Sequence, residues 1–214
     1  MNKNKNLMEN IFLSIGRPYN EKYEKFAEAL IKYGRDRGFN LQSVGYNVGT
    51  HNRPLVKITE VLNESKGAIV VAFSRIHIQE GNEKGVKLSD THITTPWNQI
   101  EAAMAYVQHI PLLVIAEKGL KKEGLIEIGN DWYVHEMEMI PKSLEEKSFE
   151  LSFEEWSHAV RNNNRLSSIE ESYEKMTIRD FFSKMTMSKI IGFILAFIGL
   201  LIAAFSAGIM FRGK

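Results

Sequence analysis

The sequence predicts an α/β protein with a mostly parallel sheet, helices on both faces of that sheet, and one C-terminal transmembrane helix. Three observations predict it. Apolar runs of strand length recur at 11–15 (IFLSI), 67–73 (GAIVVAF) and 112–116 (LLVIA). Continuous rather than alternating apolar strands belong to sheets buried on both sides. Between these runs lie stretches with helical spacing, and such alternation favours parallel strands. Third, residues 190–211 (IIGFILAFIGLLIAAFSAGIMF) form an uncharged apolar run clamped by Lys189 and by Arg212 and Lys214. A helix of that length covers roughly 33 Å, against a hydrocarbon core of about 30 Å.

The elements follow in order. The 11–15 strand ends at Gly16. Residues 20–38 carry Tyr23, Phe26, Ala27, Leu30 and Ile31 at helical spacing, with Gly38 as C-cap. A short strand is expected at 41–44. Residues 54–65 place Leu55, Ile58, Val61 and Leu62 on one helical face, with Pro54 at its start. The 67–73 run is the clearest buried strand. Residues 75–94 are polar and contain glycine, and read as a long loop. Thr95 and Pro96 then open a helix, as N-cap and first helical residue. Its apolar stripe is Trp97, Ile100, Met104 and Val107, and Pro111 stops it before the 112–116 strand. Residues 117–145 read as irregular, with one edge strand at 132–135, and 153–161 as a last short helix.

Three segments result: a body at 1–164, a linker at 165–189 and the membrane helix at 190–211. In the linker, Leu166, Ile169, Tyr173 and Met176 make a short heptad-like seam that Asp180 breaks. It can serve as a helix against the body or as a self-associating stalk. A body of about 165 residues fits one domain. The N-terminus lacks the long apolar stretch and cleavage site of a signal peptide. Lys175, Arg179, Lys184 and Lys189 precede the run, and only Arg212 and Lys214 follow it. The expected topology is therefore single-pass in the inner (cytoplasmic) membrane with a cytoplasmic N-terminal domain.

Net charge is +1, which argues against a broad electrostatic grip on nucleic acid. There is no cysteine, which excludes disulfides, thiolate metal sites and a cysteine nucleophile. The six histidines (His51, His77, His92, His109, His135 and His158) show no metal-ligand spacing such as HExxH, and no metal is expected. Neither GxGxxG nor GxxxxGK[ST] is present.

Open parallel sheets bind ligands at the carboxyl ends of their strands. That rule selects four places: the loop after the first strand (Ser14, Gly16, Arg17, Pro18, Tyr19), residues 45–52, the loop holding Ser74 and Arg75, and the start of the Trp97 helix. Gly16 would let backbone approach a phosphate or sugar, and Arg17 and Arg75 could pair with phosphates. Glu101 is the carboxylate singled out, sharing a helical stripe with Ala105 and Gln108. Beside a ribose it could stabilise an oxocarbenium-like centre or act as nucleophile.

The order of these features resembles a TIR domain. FLSI is followed by a polar loop and a helix, then by ITEVLNESKGAIVVAFSR, then by TPWNQIEAAMAY with Trp97 four residues before Glu101. EAAMAYVQHIPLLVI is also similar to nucleoside 2-deoxyribosyltransferases. The resemblance covers roughly residues 10–117. Asn98 stands where TIR domains usually have cysteine, and Asp90 lies farther from Glu101 than the acidic residue of the deoxyribosyltransferases. The resemblance implies a flavodoxin/TIR-like sheet and, by its NAD-cleaving members, a catalytic role for Glu101. A TIR-like domain on a membrane anchor resembles bacterial anti-phage effectors, in which a nucleotide signal switches on NAD loss or membrane damage.

Two functions are expected. The first is a membrane-anchored anti-phage effector that binds a nucleotide-type ligand and cleaves NAD as substrate, with no bound cofactor. Glu101 would be its catalytic carboxylate, and Ser14, Gly16, Arg17, Tyr19, Ser74, Arg75 and Trp97 its ligand-binding residues. The second is a non-enzymatic effector gated by a nucleotide or oligonucleotide, whose assembled anchors disrupt the membrane. Gly192, Ala196, Gly199, Ala203 and Ala207 recur at spacings of four, three, four and four, a small-residue face suited to helix packing in lipid. Both readings imply a homo-oligomer, and a nucleotide-synthesising enzyme is an expected genetic neighbour. A scaffold role in signalling is the remaining reading.

Overall fold

The structure is a computed structural model. It describes residues 8–49, 53–127, 129 and 132–164, together with 188, 191, 192, 195, 196 and 198–200. Contacts group the chain into two units, Met1–Leu166 and Ser167–Lys214.

The first unit is built on five strands: β1 (Glu9–Ile15), β2 (Phe39–Gln42), β3 (Gly67–Ala72), β6 (Leu112–Glu117) and β7 (Tyr133–Met137). They pair in parallel in the order β2-β1-β3-β6-β7. Residues of β3 alternate between the two faces, and both sides are buried. Ile69 and Val71 enter a core with Leu13, Ile115, Phe26, Phe149 and Trp156. Ala68, Val70 and Ala72 enter the opposite core with Phe12, Val114, Ile58, Leu62 and Ala102. Helices α1 (Glu21–Asp36) and α4 (Lys147–Arg161) cover the first face, and α2 (Pro54–Asn63) and α3 (Pro96–Val107) the second. This gives the apolar strands their continuous rather than alternating pattern. Gly67 lies against α4: a Cβ there would stand 2.5 Å from Val160 Cγ2 and 2.9 Å from Trp156 Cζ2.

Several expectations shift. Residues 75–94 are not a loop but an antiparallel hairpin, β4 (Ile76–Glu83) and β5 (Val86–Ile93). Lys84 and Gly85 connect them, both at positive φ (49° and 83°), the backbone of a two-residue hairpin turn. The edge strand runs Tyr133–Met137, and α4 starts at Lys147 rather than 153.

Helix α3 begins as expected, Thr95 accepting from the Trp97 N–H at 3.3 Å. Of its apolar stripe, however, only Met104 packs against the core. Trp97, Ile100 and Val107 are exposed, whereas Asn98, Ala102 and Ala105 face the sheet. Two small alanines let the helix axis come close to the sheet, which turns the large side chains outward.

Among the described residues no helix is long and apolar enough to cross a membrane. Most of the 190–211 run, including Ala203 and Ala207, lies outside the described residues, as does the 166–176 seam. Gly192, Ala196 and Gly199 are helical and exposed.

Candidate functional site

With β1 and β3 adjacent and their crossovers leaving toward opposite faces, the strand order reverses between them. A crevice forms outside their carboxyl ends, where open parallel sheets place ligands. It encloses about 310 Å³. Gly16 and Arg17 follow β1, Val44 and Gly45 follow β2, and Pro54 and Ile58 come from α2. Phe73 and Arg75 follow β3, and Thr95, Trp97, Asn98 and Glu101 belong to α3 and its cap. The amino ends of α2 and α3 both open here, and the positive ends of their helix dipoles favour an anionic ligand. Arg17 and Arg75 have no carboxylate partner among the described residues.

The floor is a chain of hydrogen bonds. The buried Thr94 hydroxyl donates to Asn98 Oδ1 at 3.0 Å, which fixes the amide. Asn98 Nδ2 then donates to Ser14 Oγ at 3.0 Å and to the Val71 carbonyl at 3.3 Å. Because Ser14 accepts from Asn98, its own hydrogen is available to Glu101, to which it bonds. Burial raises the Glu101 carboxyl above the ordinary carboxylate range, and the Ser14 bond offsets part of that rise. The result is a half-buried carboxylate on a fixed support, facing a cavity with cationic rims.

The expected site residues divide. Gly16, Arg17, Arg75, Trp97 and Glu101 line the crevice, and Ser14 lies beneath it. Ser74 and Tyr19 do not line it. Tyr19 donates to the Ser74 carbonyl at 2.7 Å, and the Ser74 N–H donates to Glu117 at 2.8 Å. Glu117 also accepts from Lys22 at 2.7 Å and Tyr23 at 2.8 Å. Burial pushes its carboxyl up, but these three bonds outweigh burial and hold it low. That cluster braces the carboxyl end of β6. Sequence reasoning missed Thr94 and Phe73, and gave Asn98 no role beyond its departure from the TIR pattern.

No protein-family model and no curated protein matches the chain. Solved structures share an outline at low similarity. A CMP N-glycosidase from Clostridium botulinum is 15% identical, with a TM-score of 0.43 over 63% of this chain and 93% of that one. A flavodiiron core from Synechocystis is 13% identical, with a TM-score of 0.42 over 72% of this chain and 36% of that one. The NanR protein of Vibrio vulnificus is 12% identical, with a TM-score of 0.35 over 80% of this chain and 58% of that one.

Proposed function

We propose that the crevice binds a nucleotide and that Glu101 cleaves an N-glycosidic bond there, with NAD as the substrate. The observation that carries this reading is the Thr94–Asn98–Ser14–Glu101 chain at the strand-order reversal, which presents one positioned carboxylate to a cavity with two arginines that have no carboxylate partner among the described residues. In this reading Arg17 and Arg75 pair with the phosphates, and the exposed Trp97 ring stacks on a base. The bond between ribose C1′ and the nicotinamide nitrogen breaks, and its electron pair leaves with nicotinamide. Ionised Glu101 stabilises the positive charge that develops on the sugar. A water oxygen then bonds C1′ and releases a proton to solvent.

In this reading the activity belongs to an assembled effector of anti-phage defence that a nucleotide signal controls, held at the inner membrane by the apolar run at 190–211. The same run favours a second reading, in which the crevice is only a sensor and the anchors damage the membrane. Cellular NAD separates the two. Under expression conditions where the chain is toxic, NAD should collapse with the wild type and persist with Glu101→Gln, which keeps the shape but removes the charge. Toxicity with unchanged NAD would overturn the enzymatic reading and leave the membrane reading.

A further inference from the structure

The β4–β5 hairpin carries a second constellation. Its register places His77 directly opposite His92. Asp90, two residues before His92, reaches both rings from a left-handed backbone position, φ 47°. The two imidazoles stack at 4.3 Å, 2° from parallel. Asp90 Oδ1 lies 2.7 Å from His77 Nε2 and 3.9 Å from His92 Nε2. One donor atom from each of the three residues lies within 4.8 Å of the other two. Donors sharing a first-row metal ion at about 2.0–2.2 Å bond lengths stand about 3 Å apart, within reach of rotamer adjustment here.

We infer that His77, His92 and Asp90 bind a divalent transition-metal ion of the zinc class through two imidazoles and one carboxylate. Two imidazoles select such ions over magnesium or calcium. Three protein ligands leave a coordination position for water or for an oxygen of a ligand. The support around the site fits this role. The Ser74 hydroxyl lies 2.7 Å from His92 Nδ1, so the far nitrogen is held and Nε2 is turned toward Asp90. A partner on the second ring nitrogen is the usual way a ligating histidine is oriented. Ser74 is itself tied to the sheet through its N–H bond to Glu117. At the same end of the hairpin, the Arg75 N–H donates to the Ile93 carbonyl and the Lys121 N–H to that of His92. An ion here joins the two strands beside the segment that carries Arg75.

The test is calorimetric titration of Zn²⁺ into the full-length, tag-free chain in detergent. His77→Ala, His92→Ala and Asp90→Gly serve as variants. Asp90 has φ 47°, which glycine adopts without strain, so Asp90→Gly removes a ligand while leaving the backbone at ease. Far-UV circular dichroism checks each fold. One site is expected in the wild type, absent from all three variants, and about ten-fold weaker in Ser74→Ala. Three outcomes overturn the assignment: no Zn²⁺ binding by the wild type, unchanged binding in correctly folded variants, or equal affinity for Mg²⁺.

Discussion

Asn98 is the joint on which the candidate site depends, and Asn98→Ala tests that dependence. The side chain is buried and makes three hydrogen bonds, one accepted from Thr94 and two donated to Ser14 and the Val71 carbonyl. Each is worth about 1 kcal/mol net. Truncation also leaves Thr94 without its acceptor and opens a small void, so the expected loss is about 3 kcal/mol or somewhat more. For a unit of this size that is a fall in melting temperature of roughly 6–12 °C, measurable by circular dichroism. The functional effect is separate. Without the Asn98 donor, Ser14 no longer has one fixed orientation, and the bond that holds Glu101 down weakens. Removing that offset raises the Glu101 carboxyl further, so the acidic limb of the pH–rate profile should move to higher pH. Ser14→Ala should move it the same way. The double variant should shift it no further than the larger single effect, because both act through one bond. A stability loss under about 1 kcal/mol would refute the hydrogen-bond account of Asn98. Additive shifts would refute the path through Ser14.

Glu101→Gln should stabilise the fold at neutral pH. Burial raises this carboxyl in the folded state, so the folded chain holds the proton more tightly than the unfolded chain. Stability is then lost as pH rises from the ordinary carboxylate range through the raised value. The variant should gain about 0.5–2 kcal/mol at pH 7, and the gain should vanish below about pH 4; denaturant melts at both pH values decide it. Gly67→Ala should cost about 1–3 kcal/mol by overpacking against Val160 and Trp156, and an unchanged denaturation midpoint would contradict the close approach of α4. Replacing Gly199 and Ala203 with Leu keeps the 190–211 run apolar but removes two small positions. Cross-linking in detergent should show loss of the oligomer, and persistent oligomers would assign assembly to the rest of the chain.

The fold was legible wherever burial imposed a simple pattern. The continuous run at 67–73 and the Thr95–Pro96 pair marked a buried strand and a helix start close to where the structure has them. The β4–β5 hairpin was not legible. Its residues are mostly exposed, so burial leaves no strong alternation, and only the Lys84–Gly85 turn marks it. On α3, Trp97, Ile100 and Val107 point away from the core because alanines hold the close packing. The surroundings of the crevice could be located, since the carboxyl ends of the expected parallel strands already select them, but its place between β1 and β3 needed the strand order. Its floor could not, because the bond from Asn98 to Ser14 spans 84 positions of sequence. The His77–Asp90–His92 group stayed hidden for a related reason: its spacing matches no motif, and hairpin register together with the left-handed backbone of Asp90 brings it together.

The site of bond cleavage is the most direct measure of the central claim. Purified full-length protein, assembled in detergent, would be incubated with NAD in water enriched in ¹⁸O, and the products separated and weighed by mass spectrometry. The account predicts free nicotinamide and ADP-ribose with the heavy oxygen at the anomeric carbon, and neither product from Glu101→Gln. Intact NAD from a correctly folded, assembled wild type, label on a phosphate, or equal turnover by Glu101→Gln would contradict it.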